Sequence, residues 1–336
     1  MSRTLLPLVP LYAIAAGAKN LAYRNGWIAQ KRLKGPVVSI GNLSVGGAGK
    51  TPLTICLAQL LHERGVAVDV LSRGYGRRST AVERVLPRGS AEEFGDEPLL
   101  IAQATGAPVF VGASRYDAGL LAEASAVEPV LHLLDDGFQH RRLAREADIV
   151  ALHRDDFTQQ LLPAGRLREG FSSLSRAQIV AMRQEDRELE AELRRRGFTG
   201  PVWWTERRLE VPAVDRVVAF CAIARSEEFF SGVRSSGVTV AAMRAWRDHH
   251  AYTEPDIAEL EELGRQHDAE AFLTTEKDMV RMPEELRHTL DSAAPLRVAR
   301  LVVRLRDEAA AMDRLFELLP SQWRAAAQSP ADRMRK

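Results

Sequence analysis

A chain of 336 residues, 46% hydrophobic and 27% charged, is long enough for a sizeable core and two folding units, with the composition of a globular protein. A formal net charge of +1 excludes the global basic excess by which nucleic-acid binders hold phosphate backbones, so no nucleic-acid partner is expected. Two cysteines, Cys56 and Cys221, exclude a disulfide framework and fit a reducing compartment, with Cys56 reading as a small core residue.

The charge is unevenly spread along the chain. No acidic residue precedes Glu63, whereas Arg3, Lys19, Arg24, Lys31, Arg32 and Lys34 all do. Between Arg3 and Lys19 the chain is uncharged: Thr-Leu-Leu-Pro-Leu-Val-Pro-Leu-Tyr-Ala-Ile-Ala-Ala-Gly-Ala. As a membrane span this falls short of the roughly 20 apolar residues a bilayer needs, and Pro7 and Pro10 interrupt it. A signal peptide would have the same basic start and apolar middle, but would export the glycine-rich Gly46-Gly-Ala-Gly-Lys-Thr51 loop, a phosphate-cradling pattern, away from any intracellular nucleotide. An interfacial segment over residues 1–35 is the better reading: apolar on one side, followed by Tyr23, Trp27 and the cluster Lys31-Arg32-Lys34 that suits anionic headgroups. A helix packed on the parent domain is the plain alternative.

The apolar run at 37–41 then ends in Gly41-Asn-Leu-Ser-Val-Gly-Gly-Ala-Gly-Lys-Thr51, and an apolar-periodic segment, Leu53 to Leu61, follows. Strand, glycine-rich loop and helix in succession turn backbone N–H groups and a helix N-terminus toward one point, a cradle for polyphosphate. Ser44, Val45, Gly46, Gly47, Ala48, Gly49, Lys50 and Thr51 form the candidate cradle. Lys50 reaches toward the β- and γ-phosphates, and the Thr51 hydroxyl is placed for Mg²⁺. Ser44 departs from the general pattern G-x-x-x-x-G-K-[ST], which has glycine there.

Further strands are predicted at 66–71, 108–111, 130–134, 149–152 and 178–182, with helical stretches between many of them, as in a parallel α/β sheet. Ligands of such sheets sit at the carboxyl ends of the strands, where this chain places its polar motifs. Ser72-Arg-Gly-Tyr-Gly-Arg77 follows the second strand. Asp135-Asp-Gly-Phe-Gln-His140 closes another, and Asp135 and Asp136 stand where carboxylates hold Mg²⁺ beside Thr51. Asp96, in Gly-Asp-Glu-Pro, reads from its neighbours as a helix cap, with a general base as the alternative. Arg73, Arg77, Arg115, His140, Arg141 and Arg168 are candidates for gripping anionic substrate groups.

Near Gly200-Pro201 the texture changes, and the P-loop unit is taken as 36–201. A smaller α/β unit at 202–305 follows. Its elements are a strand at 202–209, a strand at 217–223, a helix near 226–235, a strand at 238–243, a helix at 254–267 and strands at 271–274 and 296–305. Pairing of 202–209 with 296–305 makes a two-stranded link back to the first unit. A last helix covers 307–326. Asp248-His249-His250-Ala-Tyr252 offers either a His–Asp pair across a cleft or a surface loop, and Lys277 in Thr-Glu-Lys-Asp either a phosphate contact or an exposed helix start.

Taken in order, these motifs together with Pro163-Ala-Gly-Arg-Leu-Arg-Glu169 resemble the tetraacyldisaccharide 4'-kinases, from the N-terminus to about residue 280. Ser44 ceases to be anomalous, since the family carries Ser or Thr there. The resemblance implies transfer of the ATP γ-phosphate to the 4'-hydroxyl of a tetraacylated glucosamine disaccharide 1-phosphate, at the cytoplasmic face of the bacterial inner membrane. It makes Asp96 the catalytic base paired with His249, assigns ATP to Lys50 and Thr51, Mg²⁺ to Asp135 and Asp136, and membrane contact to the N-terminal helix. A monomer is expected. Two other readings stand beside it: a P-loop NTPase serving metal or protein delivery, and a membrane-bound ATP sensor that leaves its ligand intact.

Overall fold

The computed structural model describes residues 3–46 and 49–324, so Gly47 and Ala48 of the predicted cradle lie outside the described residues. The chain builds one twelve-stranded sheet: β1 (Val37–Asn42), β2 (Val68–Ser72), β3 (Glu83–Arg84), β4 (Val109–Val111), β5 (Leu131–Asp135), β6 (Ala147–Ala151), β7 (Ile179–Arg183), β8 (Val202–Glu210), β9 (Arg216–Cys221), β10 (Thr239–Ala245), β11 (Ala271–Thr275) and β12 (Leu296–Leu305). The spatial order is β10-β9-β11-β12-β8-β7-β6-β1-β5-β2-β4-β3. The helices are α1 (Val9–Arg24), α2 (Lys50–Glu63), α3 (Ala91–Phe94), α4 (Asp96–Thr105), α5 (Arg115–Ser125), α6 (Glu190–Arg195), α7 (Ser226–Ser235), α8 (Glu254–Gln266), α9 (Glu276–Arg281), α10 (Glu284–Ala293), α11 (Glu308–Leu318) and α12 (Ser321–Arg324).

β1 is buried along its whole length between parallel β5 and β6, which is why its sequence shows no polar alternation. The chain leaves β1 for β2 on one side and later fills β6 on the other. The carboxyl end of β1 is therefore the switch point of the sheet, where a ligand crevice opens. Helix α2 starts at that crevice, and its Leu53, Leu57 and Leu61 belong to one buried core with Val38 and Ile40 of β1 and Met312, Leu315 and Phe316 of α11. Leu57 and Leu61 are fully buried, each worth about 1.5–3 kcal/mol of apolar transfer. At the same crevice a Cβ on Gly41 would lie 2.7 Å from the backbone nitrogen of Phe138, so only glycine lets the turn after β5 close over β1.

The predicted link is present: β8 and β12 pair antiparallel from Thr205↔Leu305 to Glu210↔Arg300. Because β8 also pairs parallel with β7, and β12 with β11, the link fuses both halves of the chain into one continuous sheet. The sequence did not announce the two-residue β3 or helix α10. The predicted helix at 307–326 is divided, with α11 ending at Leu318 and α12 beginning after Pro320, whose missing N–H cannot continue the ladder. Residues 325 and 326 lie outside the described residues.

At the N-terminus Pro7 falls in a 3₁₀ turn and Pro10 in the first turn of α1, where proline is tolerated, so the helix forms despite both. The stretch Leu5–Arg24 is long and apolar enough to cross a membrane by length and composition, and its most apolar window is not buried inside the protein, Tyr23 being the buried residue of α1.

Candidate active site

Ser44 is buried and bridges to Leu167, and Val45 N–H donates to the Arg166 carbonyl at 2.8 Å, so the loop is braced by the segment that carries Arg168. Gly49 has φ +86°, a left-handed conformation that places it just before α2. Any Cβ there would meet the guanidinium of Arg207, which reaches the loop from β8. Lys50 and Thr51 open the helix and are both buried, with Lys50 Nζ 3.5 Å from Asp136 Oδ1.

The two aspartates at the end of β5 behave differently. Asp135 is buried, and its nearest partners are the hydroxyls of Thr54 and Ser72, each at 3.4 Å. Burial first, then the negative charges of Glu97 and Asp136, push its carboxyl up to about 7. Asp136 sits at φ +49° in the left-handed region, and both its oxygens accept from Arg168 Nη1 at 3.0 Å. Burial would raise its carboxyl, but Lys50 and Arg168 overcome that and lower it. Asp135 is therefore a carboxylate short of a cation, and Asp136 is well supplied. Among the described residues no group of three or more His, Cys, Asp and Glu forms a metal cage.

Across the crevice, Asp96 begins α4 and Glu97 follows it. His249 Nδ1 lies 3.0 Å from Asp96 Oδ2, joining residues 153 apart in sequence. His249 is held at φ +63°, so among the described residues two of the three non-glycine residues with positive φ, Asp136 and His249, belong to this site. Arg281, which the motif reading passed over, donates Nε to the same Asp96 oxygen at 2.5 Å. Burial would raise the Asp96 carboxyl; the His249 hydrogen bond and the Arg281 cation outweigh it and hold the group well below the usual carboxylate range. Lys277 Nζ is 3.6 Å from Glu97 Oε1, so it too reaches this edge from the C-terminal half.

The remaining basic candidates divide. Arg115 is buried at the start of α5 with its Nε unpartnered, and burial together with nearby Arg73 lowers its pKa to about 10. Arg73 itself is exposed. His140 is half-buried; burial, then Arg115, Arg145 and other cations, push its imidazole down to about 4, so it is neutral near pH 7. Arg73, Arg115 and His140 thus form a cation-rich wall beside Asp136. Arg77 does not join it: its guanidinium bonds Glu83 and the Ala81 carbonyl, and only 4% of its side chain is exposed, so it clamps its own loop. Arg141 is likewise occupied, bonding Asn20 and lying over the Tyr23 ring of α1. His250 pairs with Asp256 and stacks on Trp246, and Tyr252 donates to buried Asp278, so these two residues of the Asp-His-His-Ala-Tyr motif build the scaffold.

Helix α1 is moored next to this crevice. Tyr12 Oη donates to the Arg168 carbonyl at 2.9 Å, and Asn20 bonds Glu169 at 2.8 Å. Its outer face leaves Leu11 67% and Ile14 68% exposed, and Trp27 beyond the helix 74% exposed.

The profile of the tetraacyldisaccharide-1-P 4'-kinase family matches residues 1–319. A tetraacyldisaccharide 4'-kinase of Koribacter versatilis is 44% identical over 93% of this chain and 98% of its own length. That of Chromobacterium violaceum is 39% identical over 84% of each chain. Among solved structures, LpxK from Aquifex aeolicus in complex with ATP superposes with a TM-score of 0.75 at 30% identity, covering 94% of this chain and 99% of that one. With a glycine-rich loop, an acidic strand end and a His–Asp pair about one crevice, and with likeness over nearly its whole length, the chain belongs to the tetraacyldisaccharide-1-P 4'-kinase family.

Proposed function

We propose that this chain transfers the γ-phosphate of ATP to the 4'-hydroxyl of a tetraacyldisaccharide 1-phosphate, with Asp96 as the base. The observation that carries the assignment of roles is the Asp96–His249 contact at 3.0 Å, next to Glu97, whose charge acts on Asp135 beside Lys50 and Asp136. The alternative of an NTPase driving metal or protein delivery has no such support, since it needs no base poised for an alcohol.

In this reading residues 44–51 cradle the triphosphate, and Lys50 neutralises charge that builds on the γ-phosphoryl oxygens. The 4'-oxygen attacks γ-phosphorus, its proton passes to Asp96, and the bond to the β,γ-bridging oxygen breaks, leaving ADP. Arg168 anchors Asp136, which in turn fixes Lys50. Water must be excluded while this happens, or ATP would be hydrolysed instead.

The residues also fit a divalent cation. Asp135 is buried with, among the described residues, two long hydroxyl contacts and a raised pKa, so a cation shared with phosphate oxygens would relieve it, and the Thr51 hydroxyl is a second oxygen donor. Asp135 and Thr51 would hold Mg²⁺, with Asp136 adding negative charge beside it. The ion would supply charge neutralisation across the β- and γ-phosphates.

The wall of Arg73, Arg115 and His140 receives the phosphorylated sugar: the two guanidiniums supply charge, and neutral His140 can donate a hydrogen bond to a phosphate oxygen. Lys277 closes the opposite rim. The apolar face of α1, through Leu11 and Ile14, enters the headgroup region, and Lys19, Arg24, Lys31 and Arg32 meet anionic lipid at the cytoplasmic face of the inner membrane. The test is the fate of γ-labelled phosphate offered with a detergent-dispersed tetraacyldisaccharide 1-phosphate. Label on the lipid supports this reading; label only in free phosphate, or remaining on ATP, overturns it.

A further inference from the structure

We propose that Arg281 is a positioning residue of the transfer reaction, fixing Asp96 by one carboxylate oxygen and setting which nitrogen of His249 carries the proton. This inference rests on the kinase reading above and deepens it.

The geometry is specific. Arg281 donates Nε to Asp96 Oδ2 at 2.5 Å and Nη1 to the Ala222 carbonyl at 2.6 Å, while Nη2 lies 3.2 Å from His249 Nδ1. Only 7% of its side chain is exposed. Its anchors belong to the C-terminal half: Ala222 follows β9, and its N–H donates to Asp278, which also accepts from Tyr252 and Thr275. His249 N–H reaches the same Ala222 carbonyl, at 3.3 Å. Arg281 and His249 are thus held by one scaffold and presented together to an aspartate of the other half.

Two consequences follow. Both bonds to Asp96 fall on Oδ2 and, among the described residues, none falls on Oδ1, so one oxygen is clamped while the other is left for an incoming hydroxyl. His249 Nδ1 has a single in-plane site: protonated, it donates to Asp96; unprotonated, it accepts from Arg281 Nη2; it cannot do both. Arg281 therefore competes with Asp96 for that nitrogen. When the substrate hydroxyl gives its proton to Oδ1, the Arg281 cation remains on Oδ2 and no other group needs to gain or lose a proton. Lys277, Asp248 and Asp278 are the other charged groups from the C-terminal half that face this cluster, and Glu97 flanks it on α4.

Arg281→Gln tests the assignment through the pH profile of phosphate transfer, the split between kcat and KM for ATP, and the ¹⁵N shifts of His249. Loss of the cation should move the acid limb of the profile up by about 1–3 pH units. It should lower kcat by about 10- to 100-fold, less than the roughly 10²–10⁴-fold that a general base contributes because Asp96 itself remains, with KM for ATP within about twofold. The shifts should move toward the Nδ1-protonated tautomer. Arg281→Lys keeps a cation without the fork and should return the limb toward its original position without restoring full kcat. A fall in rate with the limb unmoved in Arg281→Gln, a KM that rises in proportion, or an unchanged His249 tautomer would overturn the proposal. If Arg281→Gln does not fold, Arg281→Lys decides alone: reduced kcat on an unmoved limb supports it, and undiminished kcat overturns it. Were the unmodified enzyme to label no lipid, the kinase reading would fall, while the His249 shifts would still decide the part of Arg281.

Discussion

Asp135→Asn should stabilise the metal-free protein while disabling it. The carboxyl of Asp135 is raised from 3.8 to about 7 by burial and by Glu97 and Asp136. Three units at roughly 1.4 kcal/mol each set an upper bound of about 4 kcal/mol on what ionising it costs the folded state. The sign follows from the direction of the shift. The fold favours the protonated form, so the contribution is fully present below 3.8 and is lost as pH rises through about 7. Asparagine has the same shape without the charge; its amide nitrogen can donate to one of the Thr54 and Ser72 hydroxyls now 3.4 Å away while its amide oxygen accepts from the other. Chemical denaturation in chelator at pH 8 should therefore show Asp135→Asn more stable by about 1 kcal/mol or more, bounded by the figure above, with the gain shrinking toward pH 4. Phosphate transfer with Mg·ATP should fall by about 100-fold or more. A variant less stable than the parent at pH 8, or a difference that ignores pH, would refute the reasoning.

Three further substitutions probe other parts of the account. Lys50→Ala should cut kcat by about 10²–10³-fold, because the cation facing the transferred phosphoryl group is gone; steady-state kinetics with unchanged kcat would contradict this. Gly49→Ala must adopt φ +86° and meet Arg207, so the strained loop, at about 1–2 kcal/mol for the backbone alone, should bind ATP at least about tenfold more weakly by calorimetry. Full ATP affinity would show that the loop is not the cradle. Leu11→Gln combined with Ile14→Gln alters two side chains about two-thirds exposed, so stability should stay within about 0.5 kcal/mol while sedimentation with anionic liposomes declines. Undiminished sedimentation would remove α1 as the membrane contact.

Much of this site is local and hence legible in one chain. Val37 to Thr51 is written as strand, glycine turn and helix in immediate succession, and Asp135-Asp136 stands at the end of a buried apolar run, so period and punctuation place both. The β8–β12 ladder was also readable, because its two partners are the longest strands of the C-terminal half. What escaped depends on contacts between distant segments. Arg281 lies three residues after Asp278, a spacing that puts both on one helical face, but only the meeting of α9 with α4 shows that it lands on Asp96. Arg77 and Arg141 show the converse: cations at strand ends look available for substrate until Glu83 and Asn20 are seen to hold them. Asp96 combines both cases: its neighbours suggest a helix cap, but Gly95 takes the cap position without a side-chain bond, and Asp96, as the first residue of α4, is left to bond His249.

The most direct measurement sets ATP binding against phosphate transfer in Asp96→Asn. The account predicts a dissociation constant for Mg·ATP within about twofold of the parent and label transfer to the tetraacyldisaccharide 1-phosphate reduced by about 10²–10⁴-fold, the contribution of a positioned general base. ATP affinity falling in step with transfer, or transfer persisting near the parental rate, would contradict it.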